Sequence, residues 1–166
     1  MKLTKSLLFI AAAVSLAAAG CAGSAKTSQA SPDGTSAVFS DIAGKTWKLY
    51  EIVSPDGTVT LTKADETMPM QVQAFTLSFD TDNKFAGQGY PNRYFGTLAE
   101  QDGNSLKFGM IASTMMAAFD EPFEINEYTF LQYLEKADKW ALKDGILSLY
   151  SYDAVEKPVT LNFSEI

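Results

Sequence analysis

The chain has 166 residues, 46% of them hydrophobic and 12% aromatic, which is enough for one domain with a buried core and too apolar for a disordered chain. Its formal charge of −7 repels polyanions and lacks the basic footprint of a nucleic-acid binder. With no histidine and one cysteine, Cys21, it holds no Ser-His-Asp or Cys-His catalytic arrangement, no His-ligated zinc and no intrachain disulfide.

Residues 1–20 read as a secretion signal, with Lys2 and Lys5 ahead of an apolar run over 7–16. That run, even extended to Gly20, is shorter than the roughly 20 residues a spanning helix needs. Leu16-Ala17-Ala18-Ala19-Gly20-Cys21 then brings small residues up to a cysteine. The arrangement resembles a bacterial lipoprotein signal, although Ala18 stands where such signals usually carry Leu. A simple cleaved signal with an incidental cysteine is the alternative reading. The resemblance implies that Cys21 becomes the first mature residue and carries diacylglycerol on sulfur and a third acyl chain on its amine. Two or more chains anchor stably, at ~0.8 kcal/mol per buried CH₂. Ala22 takes the place where some such proteins carry an inner-membrane-retaining Asp, so the outer membrane is the expected location. Residues 21–40 are rich in Ala, Ser, Thr and Gly without periodicity, and are expected to be a tether with a reach of roughly 25 Å.

The folded domain is expected over 41–166. Residues 46–53 alternate apolar and polar, Ser54-Pro55-Asp56-Gly57 is a turn, and residues 58–62 alternate again. Residues 63–70 read as a loop. Phe75, Leu77 and Phe79 point one way and Thr76, Ser78 and Asp80 the other, predicting a half-buried strand. Further strands are predicted over 84–87, 93–99 and 106–108, with turns at Thr81-Asp82-Asn83 and Asp102-Gly103-Asn104. Asp120 before Pro122 predicts a capped helix over 123–137, with Phe123, Phe130, Leu131, Tyr133, Leu134 and Ala137 on one face. Strands follow over 140–142, 146–150 and 159–163, with Asp144-Gly145 as a hairpin turn. The whole reads as mainly β, with short antiparallel strands forming a meander or barrel.

These residues together resemble the META domain family, the HslJ-like lipoproteins. The resemblance runs through Trp47-x-Leu49, Leu77-x-Phe79, Asn92-Arg93-Tyr94-Phe95-Gly96 and Ala112-Ser113-Thr114-Met115-Met116-Ala117. It continues through Glu127-x-x-Phe130-Leu131-x-x-Leu134, Leu147-x-Leu149 and Leu161-x-Phe163. It implies an antiparallel conical barrel-like sheet with one helix packed against it. It also implies a secreted or lipid-anchored protein, associated with envelope stress or antibiotic tolerance, of a family with no established enzymatic activity. Many members carry Gly-Cys-Asn where this chain has Tyr90-Pro91-Asn92, and a second cysteine in place of Ala118. The joint loss implies that Pro91 and Ala118 are neighbours in the fold.

Among candidate site residues, Glu127 falls on the apolar face of the predicted helix. It is expected to accept hydrogen bonds from the Ser113-Thr114 segment or the Asn92 turn, the alternative being a perturbed acid in a pocket. Asn92 is expected to make a turn, Tyr94 or Phe95 to pack, and Gly96 to belong to the same structural motif. Met68, Met70, Met110, Met115 and Met116 are expected to fill the core rather than bind a soft metal. No catalytic constellation, metal site, phosphate loop or cofactor is expected. The function expected is that of a monomeric, non-enzymatic envelope protein, its membrane contact made through Cys21. The alternative is a binder of a small apolar ligand in the barrel mouth or of a protein partner.

Overall fold

The computed structural model describes residues 37–61, 67–118 and 120–166, and leaves the signal and most of the tether outside the described residues. Nine strands form one antiparallel sheet: β1 (Thr46–Ser54), β2 (Gly57–Thr60), β3 (Thr76–Phe79), β4 (Lys84–Gln88), β5 (Arg93–Asp102), β6 (Ser105–Ser113), β7 (Lys139–Lys143), β8 (Ile146–Tyr152) and β9 (Pro158–Glu165). Two helices interrupt them, the single turn α1 (Pro69–Val72) and the longer α2 (Glu127–Lys136).

The sheet closes because β1 is paired along both edges. Its N-terminal half takes β3 (Trp47 opposite Leu77) and its C-terminal half takes β2 (Ile52 opposite Val59). The other edge takes β9 throughout, with a bulge between Leu49 and Glu51. A barrel is one way a sheet removes exposed edges. The seam between β6 and β7 is thin, with the single pair Ser105 opposite Lys139. Leu106 N–H to Asp138 O and Trp140 N–H to Asn104 O reinforce it. Beyond that pair α2 packs against β6 and β8. The Ser151 hydroxyl donates to Tyr133 O at 2.6 Å and fixes the helix to the sheet.

Apart from β2, whose residues are all exposed, the strands bury an apolar side that follows the alternation read from the sequence. Trp47, Leu77, Leu106, Leu147, Leu149, Leu161 and Phe163 are fully or almost fully buried. Both tryptophans find acceptors for their indole N–H, Trp47 on Ile42 O and Trp140 on Gly103 O. No buried side-chain polar atom lacks a hydrogen bond among the described residues. Phe85, Phe108 and Phe79 stack edge to tilted edge through the middle, with Phe85 and Phe108 centroids 4.8 Å apart.

Several sequence expectations are corrected. The helix begins at Glu127, not at residue 123: Asn126 is its cap, accepting from Thr129 N–H at 2.9 Å. Asp120 accepts instead from the Tyr90 hydroxyl at 2.6 Å. Phe75 lies outside β3 with φ at 55°, an uncommon backbone for a bulky residue, held by edge contacts to Phe123 and Phe130. Thr76, expected to face outward, is buried; its hydroxyl donates to Gln73 O and accepts from Gln88 N–H. Residues 69–72, the end of the expected loop and just beyond it, form α1, while residues 62–66 lie outside the described residues. Phe39, assigned to the tether from sequence, packs edge-on against Phe79 at 5.6 Å. β6 runs on to Ser113, well past the strand predicted over 106–108.

Candidate functional site

The densest polar cluster of the domain is built on the turn Gly89-Tyr90-Pro91-Asn92 between β4 and β5. Gly89 N–H donates to Asn92 O at 2.7 Å and closes the turn, and the Gln88 amide holds Pro91 O at 2.9 Å. Asn92 is buried and spends every polar group it has. Its backbone N–H donates to Glu127 Oε2 at 2.7 Å, and its Nδ2 donates to Glu127 Oε1 at 2.9 Å and to Met116 O at 3.1 Å. Its Oδ1 accepts from the Thr114 hydroxyl at 2.9 Å and from Met116 N–H at 2.6 Å. The opposite amide orientation would set its NH₂ against the Met116 N–H and its oxygen against the Glu127 carboxylate, so the network itself fixes the assignment.

Glu127 is the first residue of α2, where the unsatisfied N–H groups favour a carboxylate. Its place there resolves the oddity of an acid on an apolar helix face: it lies in the opening turn and turns toward Asn92. Of the two sequence readings for its partner, the Asn92 turn is the one found. Thr114 joins indirectly, bonding Asn92 and accepting from Arg93 N–H at 3.2 Å. Ser113 ends β6 opposite Tyr94, exposed, and does not bond Glu127 among the described residues.

Gly89 permits this approach, and Gly96 a separate close packing. A Cβ on Gly89 would lie 2.6 Å from Glu127 Oε2, and one on Gly96 would lie 2.5 Å from Met110 O and 2.6 Å from the Phe85 ring. Tyr94, not Phe95, is the packed aromatic: it is 1% exposed and donates to Thr76 O at 2.6 Å, whereas Phe95 is 56% exposed. Burial pushes the Tyr94 hydroxyl well above the ordinary phenol range.

Sequence reasoning missed Tyr90. Its ring meets Phe123 edge-on at 5.4 Å and its hydroxyl reaches Asp120, whose hydrogen bond raises the phenol's pKa. The β4–β5 turn therefore grips the β6–α2 connection at Met116, Asp120, Phe123 and Glu127. No local pattern marks Tyr90 for this role, because its partners Asp120 and Phe123 lie about 30 positions away in the chain.

The methionine expectation fails. Met68, Met110, Met115 and Met116 are 51%, 90%, 98% and 55% exposed, and the Met70 side chain lies outside the described residues. For Met110 the physical reason is a bulge: Gly96 and Leu98 pair with Ile111 and Phe108, so Gly109 and Met110 together oppose Thr97 and the strand changes phase, whereas Met68, Met115 and Met116 lie outside the strands.

The barrel interior is filled by side chains. A recess of about 100 Å³ opens beside Lys48, Leu49, Phe75 and Phe123, well below the roughly 300–1,000 Å³ of ligand pockets. Lys48 at its edge donates to the carbonyls of Gln71 and Val72 at the end of α1, and burial lowers its pKa. A more open groove of about 330 Å³ lies over Tyr150, Tyr152 and Val159. Among the described residues no group of three or more Cys, Asp or Glu is placed to hold a metal ion. No described helix is long and apolar enough to cross a membrane.

A closed antiparallel barrel, plugged by its own side chains and latched to one helix through an Asn–Glu pair, defines a class of small β domains. The META domain family model matches residues 40–165, and the chain belongs to that family. Solved structures that share the fold include two bacterial proteins. One is a protein from Burkholderia xenovorans, solved by NMR, 21% identical with a TM-score of 0.55, covering 82% of this chain and 97% of its own. The other is a DUF4847 family protein from Bacteroides vulgatus, 16% identical with a TM-score of 0.50, covering 74% of this chain and 93% of its own. No curated protein is significantly similar in sequence.

Proposed function

We propose that this chain is a non-enzymatic, lipid-anchored protein of the bacterial cell envelope, held through Cys21 at the outer membrane and acting as a monomer in envelope stress or antibiotic tolerance. The observation that carries the non-enzymatic reading is the use made of the polar cluster. Glu127 has both oxygens engaged by Asn92, and Asn92 has no group left for a substrate. A carboxylate so occupied ties helix to sheet and is poorly placed as a general base. Family membership and the Leu16-to-Cys21 sequence support the anchor.

Between the two binding alternatives, the filled barrel counts against a small apolar ligand held inside it. The exposed Phe95, flanked across the sheet by Ala86 and Ala112, favours contact with a protein partner. The anchor is tested by fractionating cells that express the wild type and Cys21→Ser. The wild type is expected in the membrane fraction, labelled by radioactive palmitate and sensitive to globomycin, and the variant is expected to be released. A variant that stays with the membrane overturns the anchor.

A further inference from the structure

Among the described residues the buried core holds no methionine. The buried apolar residues are aromatic, branched aliphatic or Ala, while every methionine side chain among the described residues is at least half exposed. That inverts the usual placement of a residue valued as a core filler.

Two of these thioethers are presented from fixed backbone rather than from loose loops. Met115 lies between Thr114 and Met116, and both neighbours are hydrogen-bonded to Asn92, which leaves the Met115 side chain 98% exposed. Met110 is 90% exposed on β6, its carbonyl lying over Gly96 where a Cβ would fall 2.5 Å away. From Gly109 to Ala118 no residue is charged. Among the competing oxidisable groups Tyr128, Tyr150 and Tyr152 are exposed phenols, which lack a nucleophilic sulfur, while the indoles are withdrawn. Trp47 and Trp140 are 0% and 1% exposed, the chain has no histidine, and its one cysteine is Cys21.

We propose that Met110 and Met115 form a reversible modification site for neutral two-electron oxidants of the peroxide class. The thioether lone pair attacks one peroxide oxygen, the O–O bond breaks, the S–O bond forms, and proton transfer releases water from hydrogen peroxide or an alcohol from an alkyl hydroperoxide. Sulfur loses two electrons and the peroxide gains two. A dithiol-dependent methionine sulfoxide reductase returns them, the dithiol becoming a disulfide and the oxygen leaving as water. In a core, the new polar oxygen disrupts packing. Here it enters water, so the domain takes up oxidant and stays folded.

The test uses the full chain, purified in detergent, titrated with hydrogen peroxide and followed by peptide mass spectrometry and thermal unfolding. Met115 and Met110 are expected to gain oxygen several-fold faster than Met116 and Met68. Tm is expected to move by no more than about 1 °C, in keeping with surface changes. Incubation with the reductase and its dithiol should restore the original mass, and M110L/M115L should take up about two oxygens fewer per chain. Modification of tyrosine or tryptophan ahead of Met110 and Met115 overturns the proposal. So does a fall of several degrees in Tm once about two oxygens are added, or sulfoxides that the reductase leaves in place on the folded chain.

Discussion

Asn92 and Glu127, 35 positions apart, share two hydrogen bonds: backbone N–H to Oε2 at 2.7 Å and amide Nδ2 to Oε1 at 2.9 Å. The pair faces two donors to two acceptors, and only a carboxylate supplies both acceptors. Glu127→Gln puts an NH₂ against one of the Asn92 donors and leaves that donor unsatisfied. The expected cost is about 1–3 kcal/mol, read as a fall of several degrees in Tm. Unchanged stability would mean that the pair does not tie helix to sheet.

Asn92→Asp reverses one of these bonds into a contact between carboxylates. The new acid faces Glu127 and loses the Nδ2 donation to Met116 O. Its folded-state pKa is raised above the unfolded value, so the variant is most stable below the unfolded carboxylate range and loses stability as pH rises through the folded pKa. The Tm gap between variant and wild type should therefore widen from pH 4 to pH 7. A gap that narrows over that window would mean that the side chain of residue 92 does not face the Glu127 carboxylate.

How much of this was legible depends on which interaction decides each residue. The strand alternations at Trp47 and Leu49 and at Leu161 and Phe163 were readable because period-two burial is local. The true helix start was not, because Phe123 falls in helical phase with Phe130 and Pro122 mimics a first-turn proline. Phe123 instead packs from irregular chain between Phe75 and Tyr90, a tertiary choice. The phase of Met110 was hidden by a bulge whose cause lies in the pairing with β5. Glu127 was identifiable as a tie because a carboxylate among apolar neighbours needs a donor, and the Asn92 turn was one of the two donors named for it. Tyr90 and Asp120 gave no such local conflict, and their bond was missed.

Gly89 and Gly96 should tolerate alanine unequally. At Gly89 the new methyl meets the carboxylate end of Glu127, a side chain able to move if it gives up Asn92. At Gly96 it meets a backbone oxygen and a packed ring, neither of which yields. Gly89→Ala is expected to cost roughly 1–3 kcal/mol, and Gly96→Ala at least the top of that range. Denaturant unfolding of both variants checks the order.

Tyr94 supplies an alkaline limit. Its phenol is neutral in both states below about pH 10; above it the unfolded chain ionises while the buried group resists. A folded-state pKa raised this way contributes stability that is complete below the unfolded value and is lost as pH rises toward the folded one. Tyr94→Phe should cost about 1 kcal/mol at neutral pH, since Thr76 O loses its donor, yet shift the onset of alkaline unfolding upward. Circular dichroism from pH 8 to 12 would reveal it, and an unshifted onset would place the alkaline limit elsewhere.

Pro91 and Ala118 stand where many META proteins carry a pair of cysteines. Asn92, next to Pro91, bonds both the N–H and the carbonyl of Met116, two residues before Ala118. Those bonds run the two segments side by side. A Pro91→Cys/Ala118→Cys variant is therefore expected to oxidise to an intramolecular disulfide. Closing a loop of that length stabilises by at most about 3–4 kcal/mol through the unfolded chain. Non-reducing electrophoresis and thiol titration of the folded, oxidised sample decide the matter. Two free thiols in a folded variant would show that the family's cysteine positions are not neighbours in this chain.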